Sequence, residues 1–177
     1  MKIKKVFLMA MIGIFSCLGS FGCSETSWWA ALNTASSAVS IDASFNDVSL
    51  VYEKYLILFD EPTQKEIRGN AQYIQGFRDR FKMVIKEPLM YEPGEVEYNL
   101  MLTKAAYDAI REKFVSIKDQ IDPMDLSKLR WFDYHMNHFY DNAQIVLQDE
   151  GVQAAKGPLV LIVTALKVFV PIIKTNI

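Results

Sequence analysis

Cysteine and histidine are scarce in this chain, with two of each among 177 residues. Two cysteines exclude a disulfide-dense scaffold and any four-cysteine zinc site. An excess of positive charge is also missing. Nineteen Lys and Arg face 21 Asp and Glu, a formal charge of −2, so no nucleic-acid partner is expected. Eight Gly and six Pro are too few for a collagen-like or low-complexity chain. There is no G-x-S-x-G, no H-E-x-x-H, no P-loop and no G-x-G-x-x-G, so the common hydrolase, metalloprotease and nucleotide-binding signatures are absent. No enzyme activity, no catalytic residue and no cofactor are expected. What is present is a composition 51% hydrophobic and 23% charged, that of a folded chain. The length suits one domain with a real core.

The N-terminus carries an address. Met1-Lys2-Ile3-Lys4-Lys5 is followed by an apolar run from Val6 to Phe15, then by small residues around Cys17, Gly19, Ser20 and Gly22. A positive start, about ten apolar residues and a small-residue cleavage region describe a secretory signal peptide over 1–22. The 17 residues from Val6 to Gly22, interrupted by Gly and Ser, fall short of the roughly 20 a spanning helix needs.

Gly22-Cys23-Ser24 resembles the processing site of bacterial lipoproteins, including those encoded by phages. The usual pattern places Leu three residues before Cys, then Ala or Ser, then Gly or Ala; here Ser20, Phe21 and Gly22 stand there, so the match is partial. The resemblance implies cleavage before Cys23 and acylation of its thiol. Cysteine arithmetic points the same way. Cys17 would leave with the leader, and a lone thiol at the new N-terminus has no disulfide partner in an oxidising compartment. Ser24 after the cysteine resembles the outer-membrane sorting signal of enteric-type bacteria, which implies an envelope location facing the periplasm or cell surface. Several acyl chains would anchor the protein stably. Removing residues 1–22 takes out Lys2, Lys4 and Lys5 and no acid, leaving 16 basic against 21 acidic residues, a net −5. The anchor, rather than attraction to anionic lipid, would then hold the protein at a membrane.

Residues 24–41 are rich in Ser, Thr and Ala. With Cys23 they are expected to form a flexible tether over 23–41, or a short helix over Ser27–Val39. Trp28 and Trp29 either sit at the headgroup level, where indoles are enriched, or pack back onto the domain.

The remaining chain, 42–177, is expected to be one all-α domain, an antiparallel bundle of four to five helices. Val48, Val51, Tyr55 and Leu58 mark a first helix over 46–59, capped by Asp42 or Asn46. Glu61-Pro62 restarts the chain. Ile67, Ala71, Ile74, Phe77, Phe81 and Val84 define a second helix that must end near Glu87, because Pro88 disfavours helix before it. Val96, Leu100, Thr103, Tyr107, Ile110, Phe114, Ile117 and Ile121 alternate steps of four and three, a heptad seam that packs at shallow angles. Asp122 would cap the next helix, with Asp125 back-bonding at its third position. Leu129, Phe132, Met136, Phe139, Ala143 and Val146 continue the rhythm until Gly151. The short connection makes the third and fourth helices an antiparallel hairpin.

Leu159–Ile173 is an apolar run interrupted by Thr164, Lys167 and Pro171. Fifteen residues at a rise of about 1.5 Å make about 22 Å, shorter than a hydrocarbon core of about 30 Å. A core helix is expected, with a membrane-associated or partner-binding helix, or a buried strand, as alternatives. Lys167 joins Trp28 and Trp29 as a candidate membrane or partner contact.

His135 and His138, with Asp141, fall at spacings of three along one helix. Imidazole and carboxylate suit zinc or a similar ion, but three groups on one helix leave coordination incomplete, so they are weak metal candidates beside a structural role at the bundle boundary. Arg78 and Arg80 read as a solvated face. Tyr52, Tyr55, Tyr98 and Tyr107 read as core edge. The functional expectation is a non-enzymatic, membrane-anchored envelope lipoprotein acting as an interaction, assembly or inhibitor module on another envelope protein. Its membrane contact runs through the N-terminal acyl chains. The alternatives are a membrane-active or phage exclusion or lysis-type protein using the C-terminal helix, and a metal- or small-ligand-binding bundle.

Overall fold

A computed structural model describes residues 24–87, 90, 92–150, 161–163 and 165. The described chain is all-α and forms a helical bundle. Helix α1 spans Glu25–Tyr55, α2 Glu61–Lys86, α3 Pro93–Ser116 and α4 Pro123–Gln148, with single 3-10 turns at Leu56–Leu58 and Lys118–Gln120. Prolines open three of the four: Pro62, Pro93 and Pro123 lie in the first turn of α2, α3 and α4. There the fixed φ suits the helix and the missing N–H is no loss. Asp60 accepts from the Thr63 amide and Asp122 from the Met124 amide as N-caps.

The heptad seam expected in α3 is buried along its whole length, from Val96 to Ile121, although the α-helix itself stops at Ser116 and the 3-10 turn carries Ile117 and Ile121 inward. The α4 stripe is buried at Phe132, Met136, Phe139, Ala143 and Val146, with Leu129 packed at its edge.

The largest departure lies at the start. Residues 25–41, expected as a flexible spacer or a short helix over Ser27–Val39, are the first half of the 31-residue α1. Ser24 is its N-cap, accepting from the Ser27 amide, and neither Asp42 nor Asn46 starts a helix. Small side chains are the reason. Ala31, Thr34 and Ala35 are 0% exposed, and the Thr34 hydroxyl donates to the Ala30 carbonyl within the helix at 2.8 Å. Residues this small let two helix backbones approach closely, and α1 packs more extensively on α4 than any other two helices do on each other. A run of Ala, Ser and Thr serves a spacer or a close-packed seam equally well, and it carries no amphipathic pattern to tell them apart.

α1 and α4 run antiparallel, Ser24 meeting Asp149 at one end and Lys54 meeting Asp125 at the other. α2 and α3 form the second close pair, with Glu66 near Lys113. α3 and α4 lie side by side through side chains rather than close backbones. The Tyr107 ring tilts on Phe132, and its hydroxyl donates to Asp133 at 2.9 Å. The bundle is therefore two helix pairs clasped over a shared apolar layer.

A second, smaller cluster joins Trp28, Ala30, Ala31, Ala35 and Val146 to Leu161, Ile162 and Ala165. The described part of the C-terminal run is thus helical and buried against α1, as a core helix would be. Among the described residues no helix is long and apolar enough to cross a membrane. The leader over 1–22, Cys23 and Lys167 lie outside the described residues.

Candidate functional site

Three places bear on function. The first is the α1 N-terminus. Ser24 and Ser27 both donate to the Asp149 carboxylate just beyond α4, the former at 3.0 Å. This clasp fixes the first turn of α1. The two indoles part company there. Trp28 is 1% exposed inside the small cluster, and its buried Nε1 has no hydrogen-bond partner among the described residues. Trp29 is 52% exposed, its Nε1 donating to Glu25 at 3.4 Å. A double Trp read from sequence as one unit thus divides into a core anchor and a surface side chain, because adjacent helical positions point about 100° apart.

The second is the outer face of α4. Trp131 lies edge-on to His135 at 4.2 Å between centroids, and Tyr134 lies 4.2 Å from His138. Trp131, Tyr134 and Ile145 are exposed on the same helix. Burial, and then the neighbouring His138, hold the His135 imidazole below its ordinary pKa, and its Nδ1 is buried without a partner. Asp141 is exposed on α4. Among the described residues no three His, Cys, Asp or Glu side chains converge as metal ligands, so His135, His138 and Asp141 are not gathered into a centre. The arrangement is an aromatic surface ladder.

The third was not visible in the sequence. α1 and α2 follow each other in the chain yet are not among the closely packed pairs, and an apolar groove runs between them. One cavity of about 390 Å³ is walled by Ala38, Ile41, Phe77 and Phe81, with Met136 and Phe139 beneath. A second of about 280 Å³ continues it past Val48, Tyr52, Ile67 and Ala71. Phe45 and Ile74 line both. Bulky aromatics on α2 and a tight α1–α4 seam leave this side of the layer underfilled.

Ion pairs span the groove. Arg78 reaches Asp42 through Nε at 2.7 Å and a terminal nitrogen at 2.6 Å while lying 4.5 Å over the Phe45 ring. Lys82 approaches the same carboxylate at 3.3 Å. Arg68 reaches Glu53 more loosely, at 3.7 Å. Burial raises the Asp42 carboxyl, but the hydrogen bonds from Arg78 and Lys82 outweigh it and leave its pKa lowered. Arg78, expected on a solvated face, is instead a strap between helices, with a side chain only 21% exposed.

Two polar knots hold the frame around these places. Asp125, rather than back-bonding in a capping box, takes Lys54 at 2.7 Å, Lys128 at 3.1 Å and the Tyr55 hydroxyl at 3.3 Å. The same hydroxyl accepts the Asp122 amide at 2.9 Å. Asp133 takes the Tyr107 hydroxyl and Arg111 Nε at 2.8 Å. Of the four tyrosines read as core edge, Tyr55 and Tyr107 are buried and Tyr98 is exposed.

No protein-family model, no curated protein and no solved structure matches this chain.

Proposed function

We propose that the protein is a membrane-anchored, non-enzymatic envelope lipoprotein whose helical bundle is a binding module for another envelope component. The observation that carries this reading is the position of Ser24. The residue after Cys23 is the N-cap of α1 and is tied to Asp149. Helix α1 thus starts just after the expected cut, and an acyl anchor on Cys23 would seat it on the lipid with no spacer. Trp29 lies exposed six residues from that anchor, suited to the headgroup layer. The α4 ladder of Trp131, Tyr134 and His138 offers an aromatic contact face, a composition enriched where proteins meet.

Metabolic labelling with a palmitate analogue tests the anchor. Wild type takes up label and sediments with membranes, whereas Cys23→Ala does neither. Equal labelling of Cys23→Ala overturns the proposal. The contact face is tested with a photoreactive residue replacing Tyr134 in the envelope-resident protein. One discrete adduct, lost when Trp131 is changed to Ala, is expected; a diffuse smear unaffected by that change contradicts it.

A further inference from the structure

We propose that the groove between α1 and α2 is a binding site for a single-chain amphiphile with an anionic head, a fatty acid or a lysophospholipid. This inference goes beyond the anchored-module reading and stands whether or not Cys23 is acylated.

The groove has the size and lining of a ligand site. Cavities of about 390 and 280 Å³ lie end to end, the wider one within the range of small-molecule pockets, about 300–1,000 Å³. From Ala38 to Leu56 the α1 wall runs about 27 Å at 1.5 Å per residue. One leaflet of a hydrocarbon core is about 15 Å deep, so an acyl chain fits lengthwise. Phe77, Phe81, Met136 and Phe139 line its wider end. These rings and the Met thioether adapt to a flexible chain.

The charge at the wider end selects the head. Arg78 and Lys82 share one carboxylate, Asp42, so two cations meet one anion and the rim keeps an unbalanced positive charge. Asp79, the nearest acid along α2, is exposed and is not among the residues lining the groove. Arg78 gives Nε and one terminal nitrogen to Asp42 while lying over Phe45, which leaves further N–H groups to offer. Lys82 is freer still: one of its three N–H groups meets Asp42 at 3.3 Å, and its side chain is 47% exposed. A carboxylate or phosphate at the mouth would bond Lys82 and share Arg78, while the chain enters below the strap. A cationic or uncharged amphiphile gains nothing there.

The test uses the full chain in nanodiscs of phosphatidylcholine, with a palmitate probe carrying a photoreactive group at mid-chain. Irradiation is expected to mark peptides bearing Phe77, Phe81, Met136 or Phe139. The matching long-chain alcohol should mark them at least 5-fold less. Ala43→Trp, which puts an indole at an exposed position on the groove wall, should cut the yield about 10-fold, and Arg78→Gln with Lys82→Gln should cut it 3-fold or more. A lysophosphatidate probe run in parallel separates the two sources: preferential labelling by either one names the ligand. Equal labelling by acid and alcohol, or labelling concentrated outside the groove, overturns the proposal on wild-type protein alone, independent of how any variant folds.

Discussion

The Arg78 guanidinium and the Asp42 carboxylate meet in a two-nitrogen contact at 2.6 and 2.7 Å, joining two helices that otherwise face each other across a groove. Both nitrogens converge on one oxygen, Oδ1, a paired contact that a planar guanidinium can make and a single ammonium cannot. It ties the α1–α4 pair to the α2–α3 pair at the point where the apolar layer is least filled. Exposed ion pairs contribute about 0–1 kcal/mol, so the pair acts more as a latch than as a source of stability. Asp42→Asn is expected to lower the unfolding free energy by no more than about 1 kcal/mol. It should also raise labelling by the photoreactive palmitate, since both cations are then unopposed. Urea denaturation and the labelling assay read the two effects separately.

The α1 seam makes a second prediction. Ala31 and Ala35 are fully buried, and there is no room for a larger side chain where small residues permit close packing. Ala31→Leu is expected to destabilise by about 1–3 kcal/mol through overpacking. A flexible spacer would accept the change without effect, so a thermal melt separates the two descriptions.

Trp28 and Trp29 should behave oppositely. Trp28→Ala removes a side chain that is 1% exposed, and the cavity it leaves is expected to cost about 3–5 kcal/mol. Trp29→Ala removes an exposed one, with an expected change within about 0.5 kcal/mol. Thermal melts read these two changes, and vesicle flotation should show Trp29→Ala reducing partition of the Cys23→Ala protein.

Acid should loosen the far end of the bundle. Hydrogen bonds from Lys54, and then Lys128, push the Asp125 carboxyl down to about 2, against an ordinary value near 3.9 in an unfolded chain. A group depressed on folding stabilises above its unfolded pKa and loses that contribution as pH falls through the folded one. Wild type should therefore lose stability between about pH 4 and pH 2, and Asp125→Asn should flatten that limb. Denaturation midpoints across the range check it.

His135 offers a local probe. Burial and His138 hold its pKa below the ordinary 6.5, so the neutral ring is favoured and protonation opposes folding as pH drops toward that value. By NMR its titration should lie below 6.5, and His138→Gln should move it upward.

Much of the frame was legible in the residues. The steps of three and four from Val96 to Ile121 and from Leu129 to Val146 became buried stripes, because heptad spacing has one way to hide its apolar face. Pro62 and Pro123 stand in first helical turns for an equally local reason, whereas Pro93, which opens α3, reads in the sequence as part of an irregular connection over 88–94. The first half of α1 was not legible: Ala31, Thr34 and Ala35 show no apolar periodicity, and their role depends on a helix more than 100 residues away. The groove was hidden for the same cause. Ile74, Phe77 and Phe81 read as core, and only the assembled bundle shows that the space opposite them is underfilled. Asp42 looked like a cap for a nearby helix, since its pairing with Arg78 is a long-range event with no sequence signature.

The account rests on α1 starting immediately after a Cys23 that we propose is acylated, and mass spectrometry of the N-terminal peptide from protein isolated out of envelopes tests this most directly. The account predicts a peptide starting at Cys23, lacking residues 1–22 and carrying acyl chains. A peptide that still begins at Met1, or an unmodified Cys23, would contradict it.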